Sequence, residues 1–182
     1  MKKLLFSVFI ISIMTACEQK PGDVSSTGSD STAVASTSSA EEKEERNKQT
    51  ALAISREIGG GNLDSGFVHL STDITDYGEG SGPVMKNKDT IIAAIRGFVA
   101  AFPDYKGDNF EAVSDGDRVF VYGDWSGTFK NDFMGMKATG KSFKVKDVDI
   151  FKFNDNGKII EHRAIMPWSV IMDQVGAKPP KK

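Results

Sequence analysis

An α+β domain is what this sequence predicts, with helices first and an antiparallel sheet after them. Apolar residues recur at helical spacing from Ala51 to Phe102 and alternate with polar ones through most of the chain from Asn109 onward. Two alternating runs flank Asn154-Asp155-Asn156-Gly157, whose Asn-Gly end suits the positive φ values of a tight reversal. Helices followed by runs of strands argue for helices packed on one face of a sheet.

The chain has 182 residues, room for one domain with additional segments. Its 23 basic and 25 acidic residues give a net charge of -2, without the basic surplus that nucleic acid binding needs. Cys17 is the only cysteine, so an internal disulfide is impossible. Residues 1–16 read as a signal peptide, with Lys2 and Lys3 ahead of an apolar run too short to span a bilayer. Met14-Thr15-Ala16-Cys17 resembles the lipobox of bacterial lipoproteins. That resemblance implies cleavage before Cys17, lipidation of Cys17, and a lipid-anchored protein of the bacterial cell envelope facing the periplasm or the exterior. An ordinary signal peptide cut at the same place would instead leave a free thiol. Each buried methylene of an acyl chain adds ~0.8 kcal/mol to membrane binding. Residues 17–40 are rich in Ser, Thr, Ala and Gly, and the stretch after Cys17 is expected to be a flexible linker.

The folded part is expected over residues 41–177. Acids at Glu41, Glu42, Glu44 and Glu45 precede Ala51, Leu52, Ile54 and Ile58, a first helix starting at Ser39 or Ala40 and stopped by Gly59-Gly60-Gly61. A second short helix is expected over 62–74, then a turn-rich loop over 73–82 in which Tyr77 is the large side chain. Ile91, Ile92, Ala94, Ile95, Phe98, Val99 and Phe102 form an amphipathic stripe ended by Pro103. Strands are expected at 109–113 and 118–129, then a Met- and Gly-bearing loop at 131–139, and then the hairpin. After Trp168 the chain turns helical, and residues 178–182 form a polar tail.

In the hairpin, placing Phe153 opposite Lys158 pairs Phe151 with Ile160, Asp149 with His162, Asp147 with Ala164, Val145 with Met166, and Phe143 with Trp168. Period-two alternation puts all of these on one face, expected to turn inward. Asp147, Asp149 and His162 thus lie among aromatic and aliphatic side chains. Buried carboxylates need a partner or a shifted pKa, and polar groups in an apolar wall are the usual makings of a small-molecule pocket. Trp125, Phe129, Met166 and Trp168 are the expected apolar walls. Two strands supply too few ligands for a metal site, and no cofactor motif is present.

Several segments resemble the SnoaL-like polyketide cyclases, a branch of the NTF2-like superfamily. They are Phe102-Pro103-Asp104, Gly116-Asp117-Arg118-Val119, Ser126-Gly127-Thr128, Gly135 followed by Thr139-Gly140-Lys141, Asn156 to His162, and Gln174-Val175-Gly176. The resemblance spans Thr50 to Ala177. It implies an NTF2-like cone, with a curved antiparallel sheet packed against N-terminal helices, a pocket, and a homodimer formed through the sheet. Cyclases of this family carry His-x-Asp on the last strand with the Asp as acid/base. Here the pair is His162 and Ala164, and alanine cannot take a proton. Phe129 and Tyr77 stand where the family often has histidines.

Two functional readings follow. In one, the pocket binds a small apolar or carbonyl-bearing molecule without cyclase chemistry. In the other, a cyclase, isomerase or hydrolase uses Asp147 or Asp149 to remove a proton α to a carbonyl, while His162 or Tyr77 hydrogen-bonds to the developing enolate oxygen. Against both stands a purely architectural reading. There Asp149 and His162 fix the hairpin register, and Asp147 is satisfied by backbone or water.

Overall fold

The computed structural model describes residues 31–178, with side chains described from Ser39 onward. The signal peptide and Cys17 lie outside the described residues. Helix α1 (Ser31–Gly59) is followed by the single short turn α2 (Leu63–Phe67), strands β1 (Leu70–Asp76) and β2 (Met85–Lys86), and helix α3 (Lys88–Ala101). Strands β3 (Lys106–Asp115), β4 (Arg118–Thr128), β5 (Ser142–Phe153) and β6 (Ile159–Ala164) then precede helix α4 (Trp168–Val175). The sheet order is β2-β1-β6-β5-β4-β3. Its pairs are antiparallel except β1 with β6, which run parallel. The sheet is curved and open, packed against the N-terminal helices. Among the described residues, no helix is long and apolar enough to cross a membrane.

Helix α1 begins at Ser31, inside the stretch expected to be a linker, and ends at the glycines as expected. Its first half is held to both hairpin turns. Lys43 Nζ reaches Asp155 Oδ1 at 2.6 Å, and the Gly116 amide donates to Glu44 Oε1 at 3.0 Å. Helix α3 is capped by Asn87, whose side chain accepts from the Thr90 amide at 3.0 Å, satisfying one orphan N–H of the first turn.

The expected helix over 62–74 is corrected: it stops at Phe67, and Leu70 to Asp76 are strand. The misreading has a physical origin. Leu70 and Ile74 are four residues apart, a spacing that shares one face in a helix and in a strand alike. The edge strand β3 is also longer than the expected 109–113. It shifts register between Asp108 and Glu111. Asn109 adopts φ 54° there, and its Nδ2 donates to Asp124 Oδ2 at 2.8 Å.

The expected hairpin register is corrected as well. Lys152 pairs with Glu161 but Phe153 with Ile159, leaving Ile160 as a bulge. Phe151 therefore faces His162, and Asp149 faces Ala164. The displacement is two residues, so the inward set of β5 keeps its face. The bulge does exchange the isoleucines, and Ile159, expected on the wetter face, is fully buried. Strand β6 ends at Ala164, so Met166 and Trp168 are not paired with Val145 and Phe143; Pro167 instead caps α4.

Along the inner face of β5 the order is Phe143, Val145, Asp147, Asp149, Phe151, Phe153. The last two belong to a largely aliphatic cluster with Ala51, Ile54, Leu70, Ile74, Ile91, Val119, Val121 and Ile159. The first two belong to an aromatic- and methionine-rich cluster with Phe102, Trp125, Phe129, Met136, Met172 and Val175. Burying each such side chain contributes roughly 1.5–3 kcal/mol. The two aspartates lie between the clusters as a polar band.

Candidate functional site

His162 organises the band. Its Nδ1–H donates to Asp76 Oδ1 at 3.0 Å, and its Nε2–H donates to Asp149 Oδ1 at 3.0 Å. A neutral imidazole has one N–H, so satisfying two carboxylates calls for the doubly protonated cation. Burial by itself would push the imidazole down. The bonds to Asp149 and Asp76, together with their charges, outweigh burial and raise it to about 10. Burial likewise opposes ionisation of Asp76, but the His162 hydrogen bond and charge, with the Gly78 amide at 2.8 Å, hold its carboxyl below the usual range. Phe151 packs beside the imidazole, ring centroids 5.2 Å apart.

Two of the three side chains are partly exposed. His162 is 23% exposed and Asp149 16%, whereas Asp76 behind them is 9% exposed. The described hydrogen bonds to Asp149 reach only its Oδ1.

Asp147 is placed differently. Its Oδ1 accepts from the amides of Val148 (2.7 Å), Ile165 (3.1 Å) and Met166 (2.8 Å), so it stitches the end of β6 to β5. Burial and the neighbouring Asp149 charge push its carboxyl up despite those bonds. The expected pairing of Asp147 with Ala164 is thus corrected: Asp149 faces Ala164 across the β5–β6 ladder.

The expected pocket residues separate into two groups. Trp125, 7% exposed, stacks on Tyr105 with centroids 5.3 Å apart and planes 9° from parallel. Trp168 meets the Phe98 edge at 5.5 Å, and its backbone N–H donates to Glu79 Oε1 at 3.4 Å; Met166 packs on the same cluster. Phe129, by contrast, is fully buried and stacks on Phe102 at 5.2 Å, so it is core and offers no wall. Tyr77 follows the inward Asp76, and the Arg163 guanidinium lies 3.8 Å from its ring centroid. Arg163 alternates with His162 and points to the other face, which removes Tyr77 from the role of hydrogen-bond donor to an enolate.

Sequence reasoning missed Asp76 and Tyr105. Reading Ile74-x-Asp76 as strand alternation rather than loop would have aimed Asp76 inward. Tyr105 carries no such signal, because it sits in the short connection between α3 and β3. Burial and then the charges of Asp149 and Asp147 drive its phenol well above the ordinary tyrosine value, so it stays a proton donor. Among the described residues no group of His, Cys, Asp and Glu is arranged to hold a metal ion.

Residues 51–175 match the family model described as SnoaL-like polyketide cyclase. The chain belongs to that family. Solved structures similar to this SnoaL-like chain share its fold at low identity. A protein of Jannaschia sp. CCS1 assigned as a SnoaL-like polyketide cyclase has a TM-score of 0.67 at 22% identity, over 75% of this chain and 95% of that one. A phenazine biosynthesis-related protein of Pseudomonas aeruginosa has a TM-score of 0.65 at 20% identity, over 80% and 95%. AclR of Streptomyces galilaeus, assigned as a hydroxylase, has a TM-score of 0.62 at 22% identity, over 73% and 97%. No curated protein matches the chain. Neighbours assigned to different chemistries share one fold, so the reaction has to be argued from the site.

Proposed function

We propose that this SnoaL-like domain holds a small apolar or carbonyl-bearing molecule against the band of Asp149, His162 and Tyr105, with Trp125 and Trp168 as apolar walls. The observation that carries this reading is the partial exposure of a charged Asp76–His162–Asp149 bridge inside a largely apolar face. A bridge serving only the hairpin register would have no need to face solvent. The Tyr105 phenol supplies a donor for a carbonyl oxygen. The lipobox-like segment ending at Cys17 adds an anchor in the bacterial envelope; Cys17→Ser would then release the protein into the soluble fraction. Both tryptophans of the chain belong to the aromatic cluster next to the band. Titration with neutral aromatic ketones such as 2-acetylnaphthalene, followed by NMR shifts of the Trp125 and Trp168 indoles, tests the binding. Absence of any shift at millimolar ketone would sink it.

A second reading, proton transfer, is favoured by one observation: Asp149 faces Ala164, where the family's acid/base residue is missing. The carboxylate is then supplied from the neighbouring strand. Asp149 Oδ2 would take a proton α to the carbonyl, and Tyr105 would donate a hydrogen bond to the developing enolate oxygen. The paired imidazolium, with both N–H groups engaged, orients Asp149 and takes no proton itself. Exchange of the ketone's α-protons for deuterium in D2O measures this step without knowledge of the natural substrate. Catalysed exchange that disappears in Asp149→Asn, with the fold retained, supports an enzyme; an uncatalysed rate in wild type leaves binding alone.

A further inference from the structure

A separate cleft opens where the end of α1 crosses the start of β3. It has a volume of about 660 Å³, and Arg56, Gly59, Asp104, Tyr105, Lys106 and Phe110 are among its lining residues. Two glycines let the helix end lie directly on the strand. A Cβ on Gly59 would sit 2.9 Å from Gly107 Cα, and one on Gly107 would meet Phe110 at 2.5 Å and Trp125 at 2.6 Å. The cleft therefore has an aromatic side made of Tyr105 and Phe110, with Trp125 behind them.

Most of its charges are already engaged. Asp104 is taken by Thr128, through the backbone N–H at 2.8 Å and the hydroxyl at 2.7 Å, and has Lys130 at 3.5 Å. Lys106 and Asp108 pair at 2.8 Å. Among the described residues, no carboxylate pairs with Arg56. An exposed guanidinium lining the same cleft as two aromatic rings suits a planar ligand that ends in a carboxylate, because its fork can hold both oxygens. Tyr105 lines this cleft and stacks on Trp125, and it also feels the charges of Asp149 and Asp147.

We propose that the Arg56–Tyr105–Phe110 cleft is a binding subsite for the carboxylate end of an aromatic or similarly planar acid. The proposal deepens the reading above and rests on it only through Tyr105, which both use. The test compares 2-naphthoate with the uncharged 2-naphthamide by isothermal titration on the folded protein, using wild type, Arg56→Gln and Asp149→Asn. The exposed Arg56 can change without loss of fold, which circular dichroism verifies. Wild type should prefer the acid, and Arg56→Gln should weaken it about tenfold or more while moving the amide by about twofold or less. Asp149→Asn should leave acid binding in place. Equal affinity for acid and amide, overlapping curves for wild type and Arg56→Gln, or no acid binding at millimolar concentration would each overturn the subsite. If naphthoate depends on Arg56 while 2-acetylnaphthalene fails to shift the indoles, the band reading fails and the cleft stands; the opposite pattern removes the cleft alone.

Discussion

The two apolar clusters on either side of the polar band are built from different materials and meet solvent differently. Toward the hairpin turn, Ala51, Ile74, Ile91, Val119, Val121, Phe153 and Ile159 are closed off, none more than 5% exposed. At the other end, Phe102 and Phe129 form a closed floor, but Phe98, Tyr105, Phe133, Met166 and Trp168 are only partly buried around it. Close-packed aliphatic side chains give rigidity and no access. Rings with one face inward and one edge outward leave something for a ligand to touch. On the proposed reading, one end of β5 is support and the other recognises the ligand, with Asp147 and Asp149 at the boundary.

Mutations can break or sharpen this division. The largest effect is expected for Phe153→Ala in the closed cluster, a loss of about 3–5 kcal/mol in denaturant unfolding. An equal loss for Trp168→Ala would erase the contrast, since that ring is only partly buried and its removal should cost about 1–2 kcal/mol while abolishing the ketone-induced shift of Trp125. The next effect is on pH dependence. The His162 pKa is raised from 6.5 to about 10 in the folded protein, so its contribution to stability is complete below about pH 6.5 and is lost as pH rises through about 10. Unfolding free energies of wild type and His162→Gln should therefore converge by a few kcal/mol across that window; parallel curves would argue against the charged bridge.

Asp76→Asn removes one of the two carboxylate charges that hold the imidazolium while keeping an acceptor oxygen, and should cost about 1–3 kcal/mol. His162 should then titrate closer to neutrality, observable in its ring proton shifts. The smallest change is expected at Asp147. Asparagine keeps an oxygen for the amides of Val148, Ile165 and Met166 and relieves repulsion from Asp149, so Asp147→Asn should stay within about 1 kcal/mol of wild type in a thermal melt. A large loss there would mean that the two carboxylates are not the different groups that their surroundings make them.

The sheet and its inward face were legible because alternation survives errors in register. Pairing Asp149 with His162 directly was wrong by two residues, yet an even displacement keeps both on one side, and their side chains still meet at 3.0 Å diagonally. The bulge at Ile160 was not legible, since nothing in Lys158-Ile159-Ile160-Glu161 distinguishes which isoleucine turns inward. Strand β1 was hidden by an ambiguous spacing, and Asp76 was hidden with it. Tyr105 was beyond reach for another reason. Its position depends on a connection folding back over Trp125, a long-range contact that periodicity does not encode.

Nitrogen-15 NMR of the His162 ring as a function of pH tests the charged bridge most directly. With the imidazole held by Asp76 and Asp149, both ring nitrogens should remain protonated through neutrality and titrate near pH 10. Titration near the ordinary histidine value, or a single protonated nitrogen at pH 8, would contradict it.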